Sequence, residues 1–306
     1  MIPFTKAHAC GNDFLIITEE DAAGYDKAEL TRHLCERNTG IGADGIEFFH
    51  WTGDSSGRIR LHNADGSIAE ISGNGTRCVA AWMAEERGAQ PGDQFSIETD
   101  AGPRLCTIQE FRDSDIVGPT TLITADMDVP DFEERTVELA DGNSIDGIHV
   151  SMGNPNFVIV MPETERRPQL GVFAGSGAYP VDASERSLAR LDFSINDRTW
   201  EDIGQEICFH PDFPDQTNVL FVHILGSESE PINKAAIRIF ERGVGPTSSS
   251  GTGTSASATA LIAFYDAEHE LEIIAPGGAQ NVKWQGPGEK LYLTGPATLI
   301  ARGEAW

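Results

Sequence analysis

Two short stretches, Ser72-Gly73-Asn74-Gly75-Thr76 and Ser250-Gly251-Thr252-Gly253-Thr254, decide how this chain is read. Each runs directly into a segment without helix breakers: Val79 to Arg87, ending at Gly88, and Ser255 to Tyr265. Working outward, Gly11-Asn12-Asp13 precedes the apolar run Phe14-Leu15-Ile16-Ile17, and Gly153-Asn154-Pro155-Asn156 precedes Phe157-Val158-Ile159-Val160. On the other side, Phe95-Ser96-Ile97-Glu98 leads to Ala101-Gly102, and Leu271-Glu272-Ile273-Ile274 leads to Pro276-Gly277-Gly278. Three matched features in one order, offset by 142 to 178 residues, make an internal repeat. The chain therefore reads as two copies of one α+β unit.

Within each copy, runs rich in Val, Ile and Phe bounded by Gly, Asn, Asp and Pro predict strands. The segment after each serine motif predicts a helix, and residues 196–207 predict another, with Asn196 and Asp197 as cap and Trp200, Ile203 and Ile207 as its apolar face. Segment 161–190, with Pro162, Pro168, Gly171, Gly175, Gly177 and Pro180, reads as a surface excursion. The copies are expected to meet near 118–145, which gives domains of 1–120 and 121–291, with 292–306 returning to the first.

Composition narrows the function. The 306 residues are 40% hydrophobic and 23% charged, as in a globular protein with a sizeable core. The net charge of −26, from 22 basic and 48 acidic residues, argues against a nucleic-acid or anionic-membrane partner. No apolar stretch is long enough to span a bilayer, and MIPFTKAHAC lacks the layout of a secretory signal, so a cytoplasmic location is expected. Five widely spaced cysteines without a C-x-x-C encode neither a disulfide framework nor a zinc site. No metal is expected.

Glycines at a helix start let the backbone approach a ligand, and the free N–H groups together with the helix dipole attract an anion. Two such starts in equivalent places point to a small carboxylate held in a cleft, with Ser72 and Ser250 flanking its α-carbon. The bland alternative is that both serines are N-caps. Gly251-x-Gly253-x-x-Ala256 matches a dinucleotide fingerprint, but Thr247-Ser248-Ser249-Ser250 before it is no buried strand. Neither serine sits in a G-x-S-x-G elbow, so a hydrolase triad is not supported. Asn12, Asn63, Asn154 and Asn218 border apolar runs, and Glu241-Arg242 follows Ile237 to Phe240. Arginine grips carboxylates and glutamate receives an ammonium group, so together they describe an amino-acid-shaped site.

These residues also carry a family resemblance. His8-Ala9-Cys10-Gly11-Asn12-Asp13-Phe14, Gly40-Ile41-Gly42-Ala43-Asp44-Gly45 and Asn63-Ala64-Asp65-Gly66-Ser67 resemble the opening of diaminopimelate epimerases. Gly73 to Cys78, Ser151 to Pro155, Glu241 to Gly245, Ala275 to Gly278 and Leu293 to Ala297 extend the likeness along the chain, with 161–190 longer than the family usual. The resemblance implies a cofactor-independent amino-acid epimerase. Its fold would be two pseudo-symmetric domains, each a curved sheet or barrel around a central helix. By position, Asn12, Asn63, Asn154, Asn218, Glu241 and Arg242 would hold the non-reacting end of the substrate. Backbone amides of Gly73, Asn74, Gly251 and Thr252 would cradle the reacting carboxylate. A homodimer is left open.

The departures fall on the chemistry. The family places a cysteine at the head of each glycine motif, as thiolate base and thiol acid; this chain has Ser72 and Ser250, and Asn156 where a histidine is usual. A helix N-terminus brings a thiol of pKa about 8.5 into a usable range, whereas a hydroxyl starts several units higher. Three accounts stay open: cysteines replaced to trap a complex, which would not require Asn156; a branch acting as lyase, dehydratase or double-bond isomerase; and a binding protein without turnover. Cys10, His8, His62 and Cys78 are set aside as replacement bases.

The acidic surface generates a first prediction. If self-repulsion limits stability, the melting temperature rises in molar KCl as the charges are screened; a flat salt response removes that account.

Overall fold

The computed structural model describes residues 1–112, 118–161, 193–195, 197–226 and 229–306. Asn196 and nearly all of segment 161–190 therefore lie outside the described residues. The chain divides into two compact units, Met1–Asp126 with Thr294–Trp306, and Met127–Leu293.

The first unit contains strands β1 (Ile2–Ala9), β2 (Asn12–Thr18), β3 (Gly45–Gly53), β4 (Ser56–Asn63), β5 (Ile68–Ala69), β6 (Gln94–Thr99), β7 (Gly102–Arg112) and β8 (Thr120–Asp126). Its helices are α1 (Lys27–Cys35) and α2 (Gly73–Arg87). β1 pairs antiparallel with β2, β2 parallel with β3, β3 antiparallel with β4, β4 parallel with β6, and the β6–β7–β8 run is antiparallel. The parallel pairs need crossovers, which α1 and α2 supply. The last strand of the chain, Leu291–Ala305, pairs antiparallel with β1, from Ile2 opposite Ala305 to His8 opposite Thr298, and also with β8. That strand closes the sheet into an eight-stranded barrel, which leaves no free edge.

Alternation along β3 sorts its side chains. Ile46 and Phe48 join the cluster built on Leu30 and Leu34 of α1, while Phe49 turns inward against Trp82 of α2. Gly73 to Ala84 of α2 are all buried, as befits a helix enclosed by the strands of its unit. Gly88, at φ 60°, ends the helix by donating to Ala84 and Glu85.

The second unit repeats the plan with β9 (Asp131–Glu138), β10 (Ser144–Ser151), β11 (Pro155–Val160), β12 (Asn218–Ile224), β13 (Lys234–Glu241), β14 (Gly245–Thr247), β15 (Glu270–Ala275) and β16 (Gly278–Trp284). Its helices are α3 (Trp200–Cys208) and α4 (Gly251–Phe264), and β17 is the closing strand Leu291–Ala305 already described. β9, β10 and β11 run antiparallel, β11 pairs parallel with β12, β12 antiparallel with β13, β13 parallel with β15, and β15 antiparallel with β16. The order of parallel and antiparallel pairs matches the first unit. Helix α4 is buried through Leu261 although rich in Ser and Thr. Ser255, Ser257 and Thr259 each donate their hydroxyl to the carbonyl four residues back, so no polar group is stranded.

One expectation is corrected, and two elements are added. The third helix starts at Trp200 and is capped by Thr199, whose hydroxyl accepts from the Asp202 amide at 3.2 Å; Asp197 lies outside it at φ 60°. The acidic stretch near Asp131, inside the expected boundary 118–145, forms strand β9. Helix α1 was not anticipated; Asp26 caps it through the Glu29 amide.

Gly204 on α3 faces β13 so closely that a methyl group would stand 2.8 Å from Phe240 Cβ. Gly204→Ala is therefore expected to cost about 1–3 kcal/mol by overpacking, read from the urea midpoint, and an unchanged midpoint would contradict this packing.

Candidate active site

Both serine motifs start the central helix of their unit. Ser72 has extended backbone angles and its Oγ accepts from the Gly75 amide at 3.0 Å; Ser250 does the same for Gly253 at 3.2 Å. Both serines are thus N-caps, the bland reading. That geometry also holds each hydroxyl at the positive end of a buried helix. Neither first turn contains an acidic side chain to offset the positive end of the helix dipole.

In the first unit, side chains lock this turn to the strand end. Asn74 Nδ2 donates to Asn12 Oδ1 at 3.1 Å, and Asn12 Nδ2 donates to Asp44 at 2.7 Å. Arg77, wholly buried, donates to Asn74 Oδ1 at 2.6 Å. Arg37 bonds both Asp13 and Asp44, and Lys6 pairs with Asp13 at 3.0 Å. Burial opposes ionisation of Asp13, but the hydrogen bonds from Arg37 and Lys6 outweigh it and hold the carboxyl below its usual range. Asn63 closes the turn after β4, donating to Ser67 Oγ at 3.1 Å. Asn12 and Asn74 thus meet at the helix start, while Asn63 serves its own turn.

In the second unit one chain of hydrogen bonds joins most of the sequence-predicted residues. Ser250 Oγ lies 3.4 Å from Thr252 Oγ1, which accepts from Asn154 Nδ2 at 3.2 Å. Asn156, buried to 0% exposure, donates to the Asn154 carbonyl at 2.9 Å and accepts from Asn218 Nδ2 at 3.1 Å. Asn218 Oδ1 accepts from the Arg242 amide at 2.9 Å, and the Arg242 guanidinium donates to the Asp215 carbonyl at 3.0 Å. Glu241 ends β13 beside Arg242, half-buried. Asn156 is the bridge that the sequence leaves without a role.

Burial shapes the thiols and the two imidazoles named above. All five cysteines are free and buried. Burial pushes the Cys78 thiol up, and the Cys35 thiol up to about 12. Burial lowers the pKa of His8 and of His62, and His62 stacks edge-on against Phe48 at 5.2 Å. Among the described residues no cluster of His, Cys, Asp and Glu is arranged to hold a metal, and no helix is long and apolar enough to cross a membrane.

One carboxyl escaped the sequence reading. Glu47, on β3, is fully buried, and neither oxygen has a hydrogen-bond partner among the described residues. Burial alone pushes its pKa up to about 8. The available signal was a charged residue inside the apolar run Ile46 to Phe49.

Comparison with known proteins places the chain. The family model described as diaminopimelate epimerase matches residues 4–122 and 191–300. A diaminopimelate epimerase of Corynebacterium glutamicum is 34% identical, covering 99% of this chain and 98% of its own length. That of Halothermothrix orenii is 33% identical, covering 99% and 97%. Among solved structures, a PhzF-family phenazine biosynthesis protein of Bacillus anthracis superposes with a TM-score of 0.62 at 15% identity, covering 100% of this chain and 99% of that one. A hydroxyproline epimerase of Agrobacterium vitis, with bound trans-4-hydroxy-L-proline, gives 0.61 at 16% identity, covering 99% and 90%. The two superpositions show the shared fold. The family match and the full-length relatives show that this chain belongs to the diaminopimelate epimerase family of isomerases.

Proposed function

We propose that the chain interconverts LL- and meso-diaminopimelate by moving a proton at the α-carbon, without pyridoxal phosphate. The observation that carries this reading is the pair of serine-capped, acid-free helix N-termini at equivalent places of the two units. In it, Ser72 and Ser250 occupy the acid and base positions, and the backbone amides of Gly73, Asn74, Gly251 and Thr252 receive the substrate carboxylate. Charge from the carbanion spreads onto that carboxylate, where preorganised N–H dipoles stabilise it. Asn12, Asn63, Asn154, Asn218, Glu241 and Arg242 hold the distal amino and carboxylate groups, which favours a diamino dicarboxylate over a monocarboxylic amino acid.

A second reading draws on the serines themselves. A hydroxyl is a far weaker proton acceptor than a thiolate, and an elimination or double-bond isomerisation on a related carboxylate needs only one effective base.

Proton NMR with LL-diaminopimelate in D₂O separates these outcomes. Loss of the α-proton signal with appearance of the meso isomer is expected. An alkene or keto product would favour the second reading, and line broadening without exchange would leave a binding protein. The Ser72→Cys/Ser250→Cys double variant is expected to exchange the α-proton at least about a hundredfold faster, since a helix N-terminus readily yields a thiolate. No gain would contradict the assignment of the serines. Asn156→Ala strands the Asn218 amide and the Asn154 carbonyl, so it should cost about 1–3 kcal/mol in urea denaturation; an unperturbed stability would deny Asn156 its bridging place.

A further inference from the structure

The two units offer an internal comparison at one position. In the first, Glu47 lies two residues beyond Gly45, which pairs with Phe14; in the second, Leu220 lies two residues beyond Asn218, which pairs with Asn156. Both strands pair in parallel with the strand before them and carry the same inward alternation. Each of the two residues abuts the third residue of its central helix, a glycine. A methyl group on Gly75 would collide with Glu47 Oε1 and stand 3.3 Å from Ser72 Cβ. A methyl group on Gly253 would stand 2.8 Å from Leu220 Cδ1 and 3.2 Å from Ser250 Cβ. The duplicated fold therefore accepts leucine at this place, and packing does not call for a carboxyl.

Burying an unpartnered carboxyl costs stability that a leucine would not. The cost falls at one spot: against Gly75, the residue whose amide the Ser72 hydroxyl caps. We infer that Glu47 is the proton acceptor for Ser72, a positioning residue that acts on the substrate through the serine hydroxyl. This rests on the reading of Ser72 as a proton-transfer residue. As Ser72 Oγ takes the α-proton, the C–H pair stays on the α-carbon and spreads to its carboxylate. The former hydroxyl proton passes to the Glu47 carboxylate, whose side chain turns from Gly75 to Oγ to take it, leaving Ser72 a neutral hydroxyl and Glu47 a neutral acid. In the opposite direction of the epimerisation, Ser72 gives its proton to the α-carbon and takes one from the neutral Glu47, which restores the carboxylate. Serine thereby avoids becoming a free alkoxide, which is how weakly acidic nucleophiles and bases are made usable.

The surroundings suit a group that changes charge. On β2 and β4 the residues directly opposite Glu47 are Ile16 and Leu61, both apolar. From α2 come the buried Arg77 and the Cys78 thiol, which burial pushes up first, Arg77 pulls down, and Glu47, Cys10 and Asp13 push up further. Helix α1 packs on the other face of β3. Glu47 is thus free to ionise near pH 8 while the thiol beside it stays protonated.

The test compares the full-length wild type with Glu47→Gln, Glu47→Leu and Ser72→Ala. The infrared carbonyl stretch of the protonated Glu47 carboxyl, assigned by its loss in Glu47→Gln, should titrate near pH 8 and shift in position or midpoint in Ser72→Ala. With diaminopimelate in D₂O, wild-type exchange should rise with pH through that midpoint, because the carboxylate is the accepting form. Both Glu47 variants should lose at least about tenfold in rate at unchanged KM and lose that pH limb. In a Ser72→Cys background, where the thiol needs no such partner, removing Glu47 should matter far less. An infrared band indifferent to Ser72→Ala, or an exchange profile unchanged in Glu47→Leu, would overturn the inference. If the wild type exchanges no α-proton, the reading of the serines fails, and the infrared comparison alone decides whether Glu47 and Ser72 are coupled.

Discussion

A buried helix whose N-terminus ends on a serine hydroxyl is the constraint on which each unit is built. Closing eight strands around α2 removes water from its first turn, so the amides there cannot be satisfied by solvent and must be capped or left for a ligand. Ser72 and Ser250 cap one amide each. The composition of the motifs follows from this. Glycines permit close approach of barrel wall and ligand, small hydroxyl residues let α4 fit inside its unit, and acidic residues are absent from both first turns.

The asparagine networks hold each helix terminus in one orientation against its strands. In the first unit Arg77 and Asp44 hold Asn74 and Asn12 from either end, and in the second Asn156 ties Asn154 to Asn218. Each amide uses donor and acceptor together, so rotation of any one would strand the next. The two halves are alike in backbone and unlike in chemistry: a buried carboxyl abuts the third residue of one central helix and a leucine that of the other. A duplicated scaffold allows that division, because one position can be changed without its counterpart.

Much of this was legible from spacing. The repeat, the helices after the serine motifs and the strands at Phe14, Phe95, Phe157 and Leu271 follow from period and punctuation, which are local signals. Helix α1 was hidden because only Leu30, Thr31, Leu34 and Cys35 are buried on it and the rest is polar. The cap of α3 was misplaced because several cap-forming residues precede Trp200 and only packing selects Thr199. The partners of Asn156 and the burial of Glu47 depend on strands brought together across tens of residues. No local pattern states them, although a glutamate amid Ile46, Phe48 and Phe49 is a conflict between pattern and residue of the kind that marks a functional position.

The central claim is that one serine removes the α-proton while a different group returns one. Deuterium partition at low conversion measures this directly: a single diaminopimelate isomer is incubated in D₂O, and product and recovered substrate are analysed by mass spectrometry. Deuterium in the product isomer with unlabelled recovered substrate is the predicted result. Deuterium accumulating in recovered substrate without the other isomer would mean that one group both removes and returns the proton, and would contradict the account.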